Sequence, residues 1–197
     1  YVMRTGHFFV KDVVVDGHEL LSLDEIKAWT GIQANTHLLA TDLEVVEARL
    51  RTHPWIAVAE VRKELPNRIH IEVVEQTPVA YLAAEEMMLV NRSGDPFATV
   101  EAGFNKKLPI ITGLSLKDFM DKKLRDDARA RARSAVNFSR RYEQMGLMVR
   151  WPIAEIQVST ERHITLVLSQ SGTEVKLGDG PYKQKLYRLE WVLESLR

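Results

Sequence analysis

Pro54-Trp55-Ile56-Ala57-Val58-Ala59-Glu60-Val61-Arg62-Lys63-Glu64-Leu65-Pro66-Asn67-Arg68-Ile69-His70-Ile71-Glu72-Val73-Val74-Glu75-Gln76-Thr77-Pro78 decides the fold. It reads as two strands, 55–64 and 68–75, around a turn. In the second strand Ile69, Ile71 and Val73 point one way and Arg68, His70 and Glu72 the other, the period of two of a half-buried strand. In the first, the Ala57, Ala59, Val61 face is expected inside, because the Ile56, Val58 face runs into Glu60 and Arg62. Pro66-Asn67 supplies the turn, since proline fixes φ and asparagine tolerates left-handed geometry.

Upstream, Phe8 to Val15 is rich in strong β-formers and predicts one strand, ended by Asp16-Gly17. Ser22 with Glu25 makes a capping box, and Leu21 with Ile26 a hydrophobic staple. They open a short helix that Gly31 closes. Thr41 with Glu44 repeats the device, and Leu43, Val46 and Leu50 form the apolar stripe of a second helix. Trp29 and Trp55 are expected in the core of this unit. The order strand, helix, helix, strand, strand suits two helices on one face of a three-stranded sheet.

A second region begins near Thr77-Pro78. Residues 79–82 and 87–90 read as a strand pair, 91–96 as a dense turn, and 108–113 as a short strand ended by glycine. Residues 115–145 read as mostly a long helix, with Leu124, Ala128, Ala132, Ala135, Phe138, Tyr142 and Met145 on a shared face. Its basic residues, the Arg129-Ala130-Arg131-Ala132-Arg133 run included, read as a solvated face preceded by acids that complement the helix dipole. Strands follow at 154–158, 164–168 and 174–177. A final helix opens at Pro181, with Tyr182, Leu186, Leu189, Leu193 and Leu196 as its buried stripe.

Composition narrows the function classes. The 197 residues carry 27 Lys+Arg and 27 Asp+Glu, which argues against a general nucleic-acid binder. The hydrophobic fraction of 45% is enough to fill real cores. With no cysteine, zinc-thiolate sites, disulfides and thiol chemistry drop out together. Six histidines stand singly, without metal-ligand spacing; no P-loop or Gly-x-Ser-x-Gly elbow occurs. No catalytic residue, cofactor site or metal site is therefore expected. No apolar run approaches the length of a membrane span. The chain opens without an initiator methionine and stops on an uncapped helix, so a trimmed fragment is expected, with segments before and after it.

The first unit resembles a POTRA domain, the polypeptide-transport-associated module. More specifically, Pro54-Trp55-Ile56, Val61-Arg62-Lys63-Glu64-Leu65-Pro66, Ile69 to Glu75 and Pro78-Val79-Ala80 resemble the bacterial FtsQ/DivIB cell-division family. The likeness continues through Leu89 to Gly94, Leu108 to Gly113 and Val175-Lys176-Leu177-Gly178. The resemblance implies an α+β chain: a POTRA domain (β-α-α-β-β) over residues 1–77, then a β domain over 78–197 of mostly antiparallel strands with a long helix and a C-terminal helix. Family members continue past that helix into further strands.

The resemblance also implies a non-enzymatic scaffold in the periplasm, anchored in the inner membrane through an upstream helix and acting at the septum. Its partners would be FtsB and FtsL, with FtsW and FtsI in view. Partner contacts are expected on Val61 and Lys63 of the POTRA unit, and on a sheet edge at 162–168 or 173–177, which includes Arg162, Ile164 and Leu166. Trp191, off the stripe of the last helix, is a further contact candidate. The alternatives are a POTRA-bearing factor of outer-membrane assembly or secretion, and a hydrolase of unknown type.

Overall fold

The computed structural model describes residues 8–33 and 36–195, which fall into two compact units that meet between Gln76 and Thr77.

The first unit contains β1 (Asp12–Asp16), α1 (Leu23–Thr30), α2 (Leu43–Arg51), β2 (Ile56–Glu64) and β3 (Arg68–Glu75). The sheet order is β1-β3-β2, with β1 parallel and β2 antiparallel to β3. Ile69, Ile71 and Val73 are buried against Ile26 of α1 and Val46 and Leu50 of α2, so both helices lie on one face. Ser22 caps α1 by accepting from the Glu25 N–H at 3.2 Å, and Gly31 ends it at φ +69°. At the far end of β3 the Glu75 carboxylate accepts the N–H groups of Glu19, Leu20 and Leu21 at 2.9–3.1 Å, which fixes where the chain enters α1.

Four local expectations are corrected here. The 8–15 strand is shorter: Phe8 and Phe9 lie outside β1, and Phe9 makes a single bridge to His37 instead. The cap of α2 is Asp42, whose carboxylate accepts the Glu44 N–H at 3.0 Å; Thr41 closes the preceding 3₁₀ turn, Leu38–Ala40. In β2 a bulge between Ile56 and Val58 switches the phase, so Ile56, Ala59 and Val61 are buried and Ala57 is exposed. Trp29 is 41% exposed, its indole N–H donating to the Arg49 carbonyl at 2.8 Å on the C-terminal turn of α2.

The second unit holds a seven-stranded sheet. Its strands are β4 (Ala80–Ala83), β5 (Met87–Val90), β6 (Pro96–Thr99), β7 (Ile110–Thr112), β8 (Ile153–Val158), β9 (Ile164–Leu168) and β10 (Glu174–Gly178). The order is β10-β9-β8-β7-β4-β5-β6. Two antiparallel meanders, β4-β5-β6 and β8-β9-β10, are joined by β7, which is parallel to both of its neighbours. β6 was not expected; it opens on Pro96, tolerable because the strand lies at the sheet edge.

The long helix expected within 115–145 is α4 (Arg125–Gln144), preceded by the short α3 (Leu116–Met120) and followed by α5 (Leu147–Arg150). Ser115 and Asp118 form a reciprocal capping box on α3. Asp121 ends that helix in extended geometry, so Leu124 stands 48% exposed rather than on the stripe. In α4 the small side chains of Ala128, Ala132 and Ala135, all fully buried, let the helix lie close to the sheet. Phe138 and Tyr142 fill the rest, and the Tyr142 hydroxyl donates to the Trp151 carbonyl at 2.8 Å. The last helix, α6 (Tyr182–Ser195), adds Leu186 and Leu189 to this core; Leu196 lies outside the described residues.

The arginines of α4 are not a uniformly solvated face. Arg131 is 5% exposed, with its Nε 2.9 Å from Asp127, an off-axis ion pair, and its other nitrogens near Asp118 and the Gly113 carbonyl. Arg129 bonds Asp95 at 2.5 Å, and Arg133 donates to the Ser93 carbonyl at 2.9 Å. Both clamp the 91–95 turn onto the helix. Gly94 makes this approach possible: it sits at φ +86°, and a Cβ there would meet the Arg129 carbonyl oxygen and the Arg133 nitrogen at 2.6 Å.

Candidate functional sites: two sheet edges

Among the described residues β10 leaves one backbone edge of the large sheet unpaired. The Leu168 N–H donates to the Thr173 carbonyl at 3.0 Å, so Thr173 and, two residues on, Val175 present their backbone groups to β9. Glu174 and Lys176 then turn theirs outward, and both side chains are exposed. Val175 and Leu177 pack against the core. A bulge between Lys176 and Gly178 ends the regular edge. Beyond it Lys185 donates to the Leu177 and Asp179 carbonyls at 2.7 and 2.5 Å. The open stretch is therefore Glu174 to Lys176.

Of the two sheet segments expected to form the edge, only the later one does; β9 is interior, paired with β8 and β10. Ile164 and Leu166 are fully buried and face the core. Arg162 lies just before β9 at φ +63°, half-turned toward α4, where it pairs with Asp127 at 3.0 Å. Trp191 is 72% exposed on α6, beside the exposed Tyr187 and Val192.

The first unit has its own edge at β2, where Val61 and Lys63 lie. Here two of the outward backbone groups are taken. The Glu47 carboxylate accepts the Val61 N–H at 3.1 Å, and Arg51 donates to the Ala59 carbonyl at 3.2 Å. Glu47 and Arg51 also pair with each other at 2.9 Å, one helical turn apart. Lys63 reaches across to the Leu39 carbonyl at 3.1 Å. The Glu47/Arg51 plug was missed in the sequence. Its signal is an ordinary i, i+4 pair, and nothing in that spacing says that the pair covers a strand.

Charged groups elsewhere are structural. The Glu85 carboxylate is held below the usual range by the Leu116 N–H that it accepts at the start of α3. Burial pushes the Tyr142 phenol up to about 12. Arg150 is held more firmly protonated by Glu190 and Glu194, which tie α5 to α6. Among the described residues no group of three or more acids and histidines is placed to hold a metal, and no helix is long and apolar enough to cross a membrane.

Comparison with known proteins covers both units. The family model described as "POTRA domain, FtsQ-type" matches residues 8–76, and that described as "Cell division protein FtsQ/DivIB, C-terminal" matches residues 80–197. The chain is 32% identical over 187 residues to the cell division protein FtsQ of Anaeromyxobacter sp. (strain K), covering 95% of this chain and 63% of that protein. It is 29% identical over 196 residues to the FtsQ of Myxococcus fulvus, covering all of this chain and 68% of the relative. The FtsQ of Syntrophotalea carbinolica is 27% identical over 196 residues, with 69% of its length covered. The chain thus spans about two thirds of the length of these curated relatives, and it belongs to the FtsQ/DivIB family of cell division proteins.

Proposed function

We propose that this chain is the extracytoplasmic part of a non-enzymatic divisome scaffold, anchored through an upstream helix and linking early and late division proteins by protein–protein contacts. Its partners are proteins of the FtsB and FtsL type, with FtsW- and FtsI-type synthesis proteins recruited in turn. The domain division follows the two compact units, a POTRA domain and then a β domain.

One observation carries the reading: the open backbone of β10 at Glu174 to Lys176, whereas on the β2 edge of the first unit the Ala59 carbonyl and the Val61 N–H are capped. An unpaired edge accepts an added strand, each backbone hydrogen bond contributing about 0.5–1.5 kcal/mol. The added strand is either the chain's own continuation, with the partner on its far side, or the partner itself.

The test is binding of a soluble FtsB–FtsL segment to this chain with and without its native C-terminal continuation, repeated with Lys176→Pro. Proline removes the outward N–H while the edge position tolerates the ring. Loss of binding on Lys176→Pro in both forms supports strand addition at β10. Binding unchanged by Lys176→Pro in both forms refutes it. Absence of binding by either wild-type form refutes the divisome partner assignment.

A further inference from the structure

A second feature, separate from the β10 edge, lies at the opposite end of β7 and β8 from the Ser159–His163 turn. A cavity of about 620 Å³ opens beside the C-terminal half of α4. This is within the roughly 300–1,000 Å³ range of ligand pockets. Val79, Leu108, Val136, Met148 and Ile153 supply its apolar wall, with Pro109 and Pro152 at the starts of β7 and β8. Met148 is held in place because its sulfur accepts the Ile153 N–H at 3.5 Å.

Charge sets this cavity apart from a packing defect. Ser139 lines it beside Asn137 and is 7% exposed. Arg92, Lys107 and Arg140 line the cavity from three separate segments: the 91–95 turn, the loop before β7, and α4. None has a carboxylate partner among the described residues, although the chain as a whole is neutral; Arg140 touches only the Asn137 amide oxygen, at 3.5 Å. Glu143 is the one acid in the lining.

We infer that this cavity docks an acidic amphipathic peptide segment of a protein partner, with an apolar side chain seated between Val136 and Ile153 and flanking carboxylates on Arg92, Lys107 and Arg140. The cations come from three segments around the mouth, which suits carboxylates spaced along a chain better than a single headgroup. Asn137 and Ser139 offer the neutral donors and acceptors that a peptide backbone requires.

The experiment selects binders from a random 12-residue displayed peptide library on the full chain and, in parallel, on the R92E/K107E/R140E variant. All three substituted side chains are exposed, so the fold is left intact. Wild-type pools are expected to enrich Asp and Glu around an aliphatic or aromatic anchor, and the charge-reversed variant to enrich Lys and Arg instead. A synthesised winner should bind about three- to tenfold more weakly to R140E and lose affinity as salt rises. Ser139→Leu, with folding checked by circular dichroism, should block the same peptide by filling the cavity. Identical pools from the two proteins overturn the inference. So does binding of phosphatidylglycerol vesicles or dodecanoate that depends on the same three cations while no acidic peptide is selected.

Discussion

Gly94→Ala tests how closely the 91–95 turn is pressed on α4. The residue sits at φ +86°, where a side chain meets its own backbone, a cost of about 1–2 kcal/mol. The new methyl would also lie 2.6 Å from two backbone atoms of α4, which cannot yield without moving the helix; overpacking of that kind costs about 1–3 kcal/mol. The less flexible unfolded chain returns about 0.4–1 kcal/mol. The net loss is about 1–4.5 kcal/mol, centred on about 3 kcal/mol. Gly172→Ala is the control, because φ is +65° there but nothing lies within 4 Å of the added Cβ; its loss should be about 1 kcal/mol or less. Urea unfolding followed by Trp151 and Trp191 fluorescence, in a W29F/W55F background, isolates the second unit. With m near 2 kcal/mol/M, Gly94→Ala should lower the midpoint by roughly 1–2 M and Gly172→Ala by no more than about 0.5 M. Equal shifts for the two variants would refute the close-approach argument. An unchanged midpoint in Gly94→Ala would refute the whole account of the turn.

Other perturbations follow from the same contacts. Because burial raises the Tyr142 phenol to about 12 while the unfolded chain ionises near 10, the unfolded state sheds its proton first. Stability of the second unit should therefore fall by about 2–3 kcal/mol between pH 10 and 12. Tyr142→Phe, measured by the same urea titration, should flatten that limb. Arg131→Met removes the cation shared by Asp118 and Asp127, leaving Asp127 with Arg162 alone, and should destabilise the second unit by about 1–3 kcal/mol, with Arg131→Lys only partly restoring it. Glu47→Ala combined with Arg51→Ala frees the Val61 N–H and the Ala59 carbonyl, so sedimentation should reveal more self-association than in the parent chain.

What the sequence made legible was what local periodicity encodes. The alternation from Arg68 to Glu75 placed β3 and its inner face residue by residue, and Ser22 and Gly31 bracketed α1 as their chemistry requires. The bulge at Ala57 was hidden, because it arises from register against β3 and not from composition. Thr41 and Asp42 are adjacent capping residues, and only the backbone geometry decides that Asp42 caps α2. The Arg129 to Arg133 run looked uniform, yet Arg131 turns inward to acids on α3 and α4 while its neighbours clamp a turn some forty residues away in sequence. The choice between β9 and β10 as the free edge was closed to sequence reasoning for a similar reason. Strand order is a property of the whole sheet, and Ile164 to Leu168 alternates no differently from a strand at the rim.

The place of β7 bears on how the second unit assembles. Each meander needs only contacts between neighbouring strands, which form early because the intervening loops are short. β7 has three residues and must meet β4, some thirty positions back, and β8, which returns only after α3, α4 and α5. The two halves of the sheet can thus form independently and be sewn together last at Ile110 to Thr112. Completion of the continuous seven-stranded surface is then expected late in the folding of the domain, because the β7 pairings are distant in sequence.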